Sequence, residues 1–363
     1  MTCPAATVPF QGGTDGYHTY RIPALTLTPS GVLLAFAEGR KTSGADHGDI
    51  DIVLRRSTDG GTTWGPLQVV TTHGSDTAGN PCVVVDPASG DVVLVSCRNG
   101  GSDTWSEIAA GAAPARRVYV QRSTDDGASW TAPAEITSQV RPSWMRWYAT
   151  GPGTGVALAT GPYAGRLVIP CNHTRTPSGS DTGAESKYSG GHAIYSSDGG
   201  ATWQLGFTSS NPNNEINEDE TAVAPLPDGR LYFNCRCGTS DEQPGTRADA
   251  VSLDGAQSLV RSYRPQATIT TPIVQGSVIT LPAGHLLYSG PTHPYERAAM
   301  GLRVSTDEGR TWSLRRRISG LPAAYSSMVL LDDTTLGLLY ETGDWSPYTR
   351  IEHTRIPLAD LGL

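Results

Sequence analysis

Hydrophobic and polar positions in this chain alternate in short runs that stop at turn residues and start again, without a sustained helical period. Arg21-Ile22-Pro23-Ala24-Leu25-Thr26-Leu27 is followed by the turn Thr28-Pro29-Ser30-Gly31 and then by Val32-Leu33-Leu34-Ala35-Phe36, the layout of a β-hairpin. Similar units bracket Pro227-Asp228-Gly229 and Asp332-Asp333-Thr334. Alanine-rich Ile108 to Ala115 is the one stretch that tempts a helical reading, and it is short. Within this β-rich background an eight-residue pattern, S-x-D-x-G-x-[T/S]-W, occurs at Ser57 to Trp64, Ser123 to Trp130, Ser196 to Trp203 and Ser305 to Trp312. Each copy has the parts of a self-contained turn: short oxygen side chains to bond nearby backbone N–H groups, a glycine for positive φ, and a tryptophan to anchor the next strand.

The box starts are 66, 73 and 109 residues apart. A degenerate copy, Ser252-Leu253-Asp254-Gly255 with Ala256 for glycine and Leu259 for tryptophan, divides the last interval into 56 and 53. Units of this length hold four short strands each, and 363 residues accommodate about six. The pattern predicts an all-β fold, a six-bladed β-propeller forming one domain over residues 1–363. Composition agrees: Gly 42 and Pro 26 suit many tight turns, and charged residues are only 17%.

A net charge of −8 disfavours non-specific binding to nucleic acid or to anionic membranes, so an anionic ligand needs a local cationic cluster. Lys41 and Lys187 are the only lysines, which leaves arginine to supply the positive charge. No apolar run approaches the roughly 20 residues that span a bilayer, and Met1-Thr2-Cys3-Pro4 lacks the basic and apolar regions of a leader. The expected location is cytoplasmic, or secreted after removal of a leader, and the expected state is a monomer. The six cysteines show no C-x-x-C spacing and read mainly as buried thiols. Cys82 and Cys97 are symmetric about the turn Asp86 to Asp91, a placement that would let them form a disulfide across a hairpin.

The same hairpin symmetry opposes charged and polar residues. Glu220 faces Arg236 about Pro227-Asp228-Gly229, Arg21 faces Glu38 about Pro29-Ser30, and Tyr325 faces Glu341 about Asp333, provided no bulge intervenes. Taken alone, such pairs are more often structural decoration than chemistry.

Tyr20-Arg21-Ile22-Pro23, together with the boxes, resembles the exo-α-sialidase (neuraminidase) family of bacteria and animals, with its Asp-box (BNR) repeats. The resemblance continues through Ala37-Glu38-Gly39-Arg40, Ile52 to Arg56, Asn80-Pro81, Ala149 to Gly153, Asp228 to Leu231 and Leu339-Tyr340-Glu341. It implies an arginine triad for a substrate carboxylate at Arg21, Arg236 and Arg297, with Glu341 supporting Arg21. Planar, permanently charged guanidinium forks suit that task. It implies a tyrosine nucleophile at Tyr325 with Glu220 as its base. A phenol can approach neutral where a carboxylate would meet the like charge of a sugar acid, and this departs from the usual carboxylate pair.

Glu218 and Asp219 compete with Glu220, which is preferred for its symmetric partner and its distance from Leu226. The general acid/base is expected at Asp46, in the loop Lys41 to Gly48, with Asp49 and Asp51 as competitors. Arg40 and Asn80 are expected as secondary substrate contacts. Trp105, Trp144, Trp147, Tyr148 and Asp103 are candidate rim residues.

The resemblance therefore implies a retaining exo-α-sialidase acting on sialylated glycans through a covalent sialyl-tyrosine, with no metal and no cofactor. Two alternatives stand beside it. One is a non-catalytic sialic-acid-binding propeller; the other is a transferase, or a hydrolase of a related acidic sugar.

Overall fold

The computed structural model describes residues 6–210, 216–238 and 246–362. The start of the chain, Met1-Thr2-Cys3-Pro4, lies outside the described residues. The hairpins form as the alternation predicts, and they arrange as a β-propeller. Three sheets are four-stranded and antiparallel or nearly so: one holds Glu218–Pro225, Leu231–Cys237, Arg247–Ser252 and Arg264–Pro265, and another Ser277–Thr280, Leu286–Pro291, Met300–Ser305 and Ser313–Arg317. The third joins the two ends of the chain, because Thr7–Gln11 pairs with Arg350–Pro357 beside Thr335–Thr342 and Ala323–Asp332. Pairing first and last strands in one sheet leaves no open seam.

A five-stranded sheet centres on Leu167–Arg175 and Ser189–Ser196. A nine-stranded sheet runs from Thr19–Leu27, Leu33–Arg40 and Ile50–Ser57 into Thr77–Val85, Val92–Asn99 and Arg117–Ser123. Its halves meet at the parallel pair Ile50 and Thr77. The innermost strands are buried on both faces, as Thr19–Leu27 shows along nearly its whole length. Between the halves of the nine-stranded sheet lies an apolar cluster, Leu34, Phe36, Ile52 and Leu54 against Val83, Val92 and Leu94. The helical stretch is Trp105–Ala110, started by a capping box between Thr104 and Glu107 and ended by Gly111 at φ 84°, so it begins before the alanine-rich segment. Among the described residues no helix is long and apolar enough to cross a membrane.

The boxes are turns built around one serine and one aspartate. In the second, Ser123 Oγ donates to Asp125 Oδ1 at 2.8 Å and accepts from Gly127 N at 2.8 Å, while Asp125 accepts from Ser129 N at 2.8 Å and Ser129 Oγ at 2.6 Å. The degenerate copy keeps every one of these bonds: Ser252 Oγ lies 2.9 Å from Asp254 and 3.0 Å from Ala256 N, and Ser258 takes the last position. Ala256 adopts φ 74° there, a conformation glycine would hold without strain.

Hairpin symmetry fails where bulges intervene. Cys82 opposes Val95 and Cys97 opposes Gly79, because the register shifts between Gly79 and Cys82. Both thiols are free and buried, as are those of Cys171 and Cys235, so the disulfide that the symmetry would allow between Cys82 and Cys97 is absent. The bulge that separates them also carries Asn80, at φ 54°.

Two outcomes are expected from the boxes. Ser123→Ala strands the buried Gly127 N–H and should cost about 1–3 kcal/mol of stability, read from urea unfolding. Hydrogen bonds from Ser129 lower the carboxyl of Asp125 from 3.8 to about 2, and those from Thr63 do the same for Asp59. A depressed folded pKa contributes stability that is complete above the ordinary carboxylate pKa and lost as pH falls toward 2. The fall in urea midpoint between pH 4 and pH 2 should therefore be shallower in Asp125→Asn than in the wild type.

Candidate functional site

Glu341 organises one side of the site. Its side chain is wholly buried, Oε1 accepts from Arg21 Nε at 2.7 Å and from Ile22 N at 2.8 Å, and Oε2 accepts from Tyr325 N at 3.1 Å. Ile22 stands at φ 60°, which a β-branched residue adopts only under strain, and the register of its strand shifts between Arg21 and Ala24. A matching irregularity between Ala323 and Ser326 turns Tyr325 inward. Arg21 and Glu38 are register partners as the symmetry predicts, yet the ion pair of Arg21 is with Glu341 across the interface between sheets.

Around the Tyr325 ring stand three arginines. Arg236 Nη1 donates to the phenolic oxygen at 3.2 Å, Arg21 lies 5.0 Å from the ring centroid and Arg297 5.7 Å. Arg297 is held by Tyr348 Oη at 2.8 Å and by the carbonyl of Ile273 at 3.1 Å, while its own carbonyl accepts from Ala323 N at 2.8 Å. Tyr325 Oη donates to Glu220 Oε1 at 2.5 Å, and Glu220 Oε2 accepts from Arg236 Nη1 at 3.0 Å. Burial pushes Tyr325 well above its usual pKa and Glu220 adds to the rise, against the three arginines. Burial also raises Glu220, opposed by Arg236. The phenol thus keeps its proton and shares it in a hydrogen bond with a carboxylate placed to receive it.

Asp46 projects from its loop with 77% of its side chain exposed, 2.7 Å from Arg40 Nη1 and 4.0 Å from Arg21 Nη1. Inside this concavity desolvation raises its pKa, but Arg40 and Arg21 outweigh it and the net shift is downward. The loop is pinned by Arg40 to the Gly44 carbonyl at 2.6 Å and by Thr77 Oγ1 to Gly48 N at 3.1 Å. The competitors are otherwise engaged: Lys41 pairs with Asp49 at 2.8 Å and Asp51 at 3.2 Å, and Tyr17 Oη donates to Asp51 at 2.7 Å.

Arg40 is buried, its fork set on Glu38 Oε2 at 3.1 and 2.7 Å. Glu38 Oε1 accepts from Asn80 N at 2.8 Å, and Asn80 Oδ1 accepts from Arg116 Nη1 at 2.6 Å.

These residues surround a cleft of about 320 Å³, lined by Asp46, Arg40, Asn80, Glu220, Arg236 and Tyr325 among others. Trp105 and Trp147 line it too, whereas Trp144 packs on His173 and Tyr148 is core. Asp103 closes its own turn on Gly100 N. Sequence reasoning missed Glu38 as the support of Arg40, Tyr348 as that of Arg297, and Arg116 altogether. Asp219, set aside as a base, is a positioning residue: its Oδ1 accepts from Asn172 Nδ2 at 2.6 Å and from Glu220 N at 2.9 Å, and its Oδ2 lies 3.4 Å from Arg236 Nε. The alternation Glu38-x-Arg40 was the available signal for the first; nothing distinguished Arg116 in an arginine-rich chain.

Fold and cleft define a β-propeller whose cleft is lined by paired arginines and carboxylates and by a tyrosine hydrogen-bonded to a glutamate. The BNR repeat-like domain family matches residues 31–338. The sialidase of Micromonospora viridifaciens is 34% identical over 373 residues, taking in 96% of this chain and 53% of that protein. Human Sialidase-3 is 31% identical over 396 residues, with 94% and 90% covered. Among solved structures, the Hadza microbial sialidase Hz136 superposes with a TM-score of 0.83 at 26% identity, covering 98% of this chain and 68% of that one. The intramolecular trans-sialidase of Ruminococcus gnavus, at TM-score 0.80 and 19% identity over 100% and 99%, shares the fold. The chain belongs to the sialidase family with BNR repeats, and it spans about half the length of the Micromonospora relative.

Removing the Glu341 charge leaves Arg21 buried without its partner. Glu341→Gln is expected to cost about 3–5 kcal/mol in urea unfolding, the range for breaking a buried ion pair.

Proposed function

We propose that this chain is a retaining exo-α-sialidase, a six-bladed propeller forming one domain, that releases terminal sialic acid from glycans through a covalent sialyl-tyrosine. The observation that carries the reading is the 2.5 Å bond from Tyr325 Oη to Glu220 within the ring of Arg21, Arg236 and Arg297. The six-blade count follows if the nine-stranded sheet is divided at Ile50 and Thr77, giving six units with the closing sheet as the last.

The substrate carboxylate would sit among the three arginines, which places the anomeric carbon over Tyr325. Glu220 takes the phenolic proton as Tyr325 Oη bonds to that carbon, and the bond to the leaving oxygen breaks as Asp46 gives it a proton. In the second step Asp46 takes a proton from water, the water oxygen bonds to the anomeric carbon, and Tyr325 leaves and recovers its proton from Glu220. Two displacements retain configuration.

The carboxyl of Asp46 starts below its ordinary value, held there by Arg40 and Arg21. A bound carboxylate offsets Arg21 and the sugar removes water, and both changes move Asp46 upward, toward the protonated form that the first step requires.

The test is turnover of a fluorogenic sialoside. Wild type should hydrolyse it and release the α-anomer first by NMR, with no transfer to added lactose as the main route. Asp46→Ala should lose about 10²–10⁴-fold on a natural sialyl-lactose, the usual contribution of a general acid, and less on the activated substrate. Arg236→Ala should lose roughly 10–100-fold in kcat/KM, as expected for a charge-assisted bond of about 1.5–3 kcal/mol. Absence of wild-type turnover, or an unimpaired Tyr325→Phe, overturns the reading.

A further inference from the structure

The inner strands of the propeller meet around an apolar cavity lined by Leu25, Val83, Val223, Val278 and Val329. The strands farthest from it form the rim. Those at Thr7–Gln11, Gln68–Thr71, Ala134–Glu135 and Gln204–Thr208 contain no cationic residue, and in Arg264–Pro265 the arginine is paired with Asp249 at 2.7 Å. Ser313–Arg317, the outermost strand of its sheet, ends in three consecutive arginines. Arg316 pairs with Asp360, whereas Arg315 and Arg317 are exposed and have no hydrogen-bond or ion-pair partner among the described residues. Charge on an edge strand deters pairing with another chain, but the other rim strands do without free cations, so two on one strand call for a further account.

Backbone geometry sets where these side chains stand. Leu302 faces Arg316 and Arg303 faces Leu314, which makes Arg315 the extra residue of a bulge, a device that re-aims a side chain. Arg317 faces Gly301, four residues beyond Arg297. Facing residues have Cα atoms about 5 Å apart and each residue extends at most about 3.6 Å, so Arg317 stands within about 20 Å of Arg297 at the cleft. Acids beside this strand are engaged elsewhere: Asp360 holds Arg316, Glu308 pairs with Arg230 at 2.7 Å, and Asp307 accepts from Thr311 Oγ1 at 2.6 Å.

We propose that Arg315 and Arg317 form a docking strip for an acidic glycan chain, engaging a neighbouring carboxylate of a clustered sialoglycan while one sugar acid occupies the cleft. The inference rests on the sugar-acid reading of the cleft. A glycan that carries several sugar acids is a flexible polyanion, which a protein of net charge −8 repels as a whole. At physiological ionic strength, however, a charge is felt over only about 8 Å, and inside that range two unpaired guanidiniums prevail. Each can fork onto a carboxylate. Once one sugar is in the cleft, the second contact is intramolecular, so even a weak one raises affinity for the chain without any new contact to the first sugar.

The experiment is calorimetric binding of three probes in about 0.1 M salt: a monomeric thio-linked sialoside, polyacrylamide carrying the same sialoside in clusters, and polyacrylamide carrying simple carboxylates at the same density. The thio linkage resists hydrolysis, so the readout is binding and not turnover. Wild type should bind the clustered sialoside at least about tenfold more tightly, per sugar, than the monomer and than the plain carboxylate polymer. Arg315→Gln combined with Arg317→Gln should weaken the clustered probe about three- to tenfold and leave the monomer within about twofold, whereas Arg315→Lys with Arg317→Lys, which keeps the charge, should retain most of the gain. In about 1 M salt, where the screening length falls to about 3 Å, wild type should lose its advantage over the glutamine variant. Clustered binding unchanged in the glutamine variant, or a plain carboxylate polymer that binds as tightly as the clustered sialoside, overturns the strip alone. A wild type that binds no monomeric sialoside overturns the sugar-acid reading of the cleft, and the strip with it.

Discussion

The carboxylate of Glu341 is the constraint on which the rest of the site depends. It is buried among three N–H groups from two other parts of the chain: the guanidinium of Arg21, the amide of Ile22 and the amide of Tyr325. Burying a carboxylate is costly unless hydrogen-bond donors meet it, so these three donors hold it in the interior together. The left-handed backbone of Ile22, a conformation that costs of order 1–3 kcal/mol, persists because its N–H has this partner. One anion therefore fixes the first arginine, the bend that aims it and the backbone beneath the tyrosine. Through Tyr325 the constraint reaches Glu220, and through Glu220 it reaches Arg236.

Around this anchor the propeller supplies positions that no single hairpin could. The residues at the cleft come from sheets far apart in sequence, and the closing sheet that joins strand Thr7–Gln11 to the C-terminal strands keeps the ring from opening. Each box spends its aspartate on its own backbone, as Asp59 does on Thr63 N at 2.9 Å, so the repeated acids stay out of the cleft. The cleft's own acids serve differently. Glu38, Asp219 and Glu341 each hold an arginine and also cap a backbone N–H, of Asn80, Glu220 and Tyr325 respectively.

Much of this was legible in the chain, for physical reasons. Turn chemistry is local, so the boxes could be read, including the degenerate one in which Ala256 keeps the hydrogen bond to Ser252 at the cost of a positive φ. Glu220 and Arg236 do meet, as the symmetry of their hairpin predicts. Register arithmetic failed where an extra residue entered a strand: it paired Cys82 with Cys97, although the bulge at Asn80 sets them against different partners. Those bulges fall beside the cleft, where the chain turns side chains out of the ladder and into the site, so pairing rules are weakest where function is concentrated. Contacts between distant loops and strand ends, such as Tyr348 on Arg297 or Arg116 on Asn80, left no periodic trace.

The distribution of positive charge completes the argument for an anionic ligand. The chain as a whole carries −8, so its long-range field does not draw anions in. Arg21, Arg40 and Arg236 each touch a carboxylate. Arg297 is held instead by the hydroxyl of Tyr348 and the carbonyl of Ile273, and Arg116 by Asn80, the carbonyl of Tyr148 and the face of Trp147 at 4.1 Å. Neutral supports fix a guanidinium without cancelling its charge. Burial of Arg116 disfavours its charged form and lowers its pKa, a penalty that a nearby anion would relieve. Two cations on neutral props thus stand beside three that carboxylates already engage, inside an acidic protein. Any attraction of the cleft for an anion would therefore be short-ranged, acting once a ligand has entered and little before.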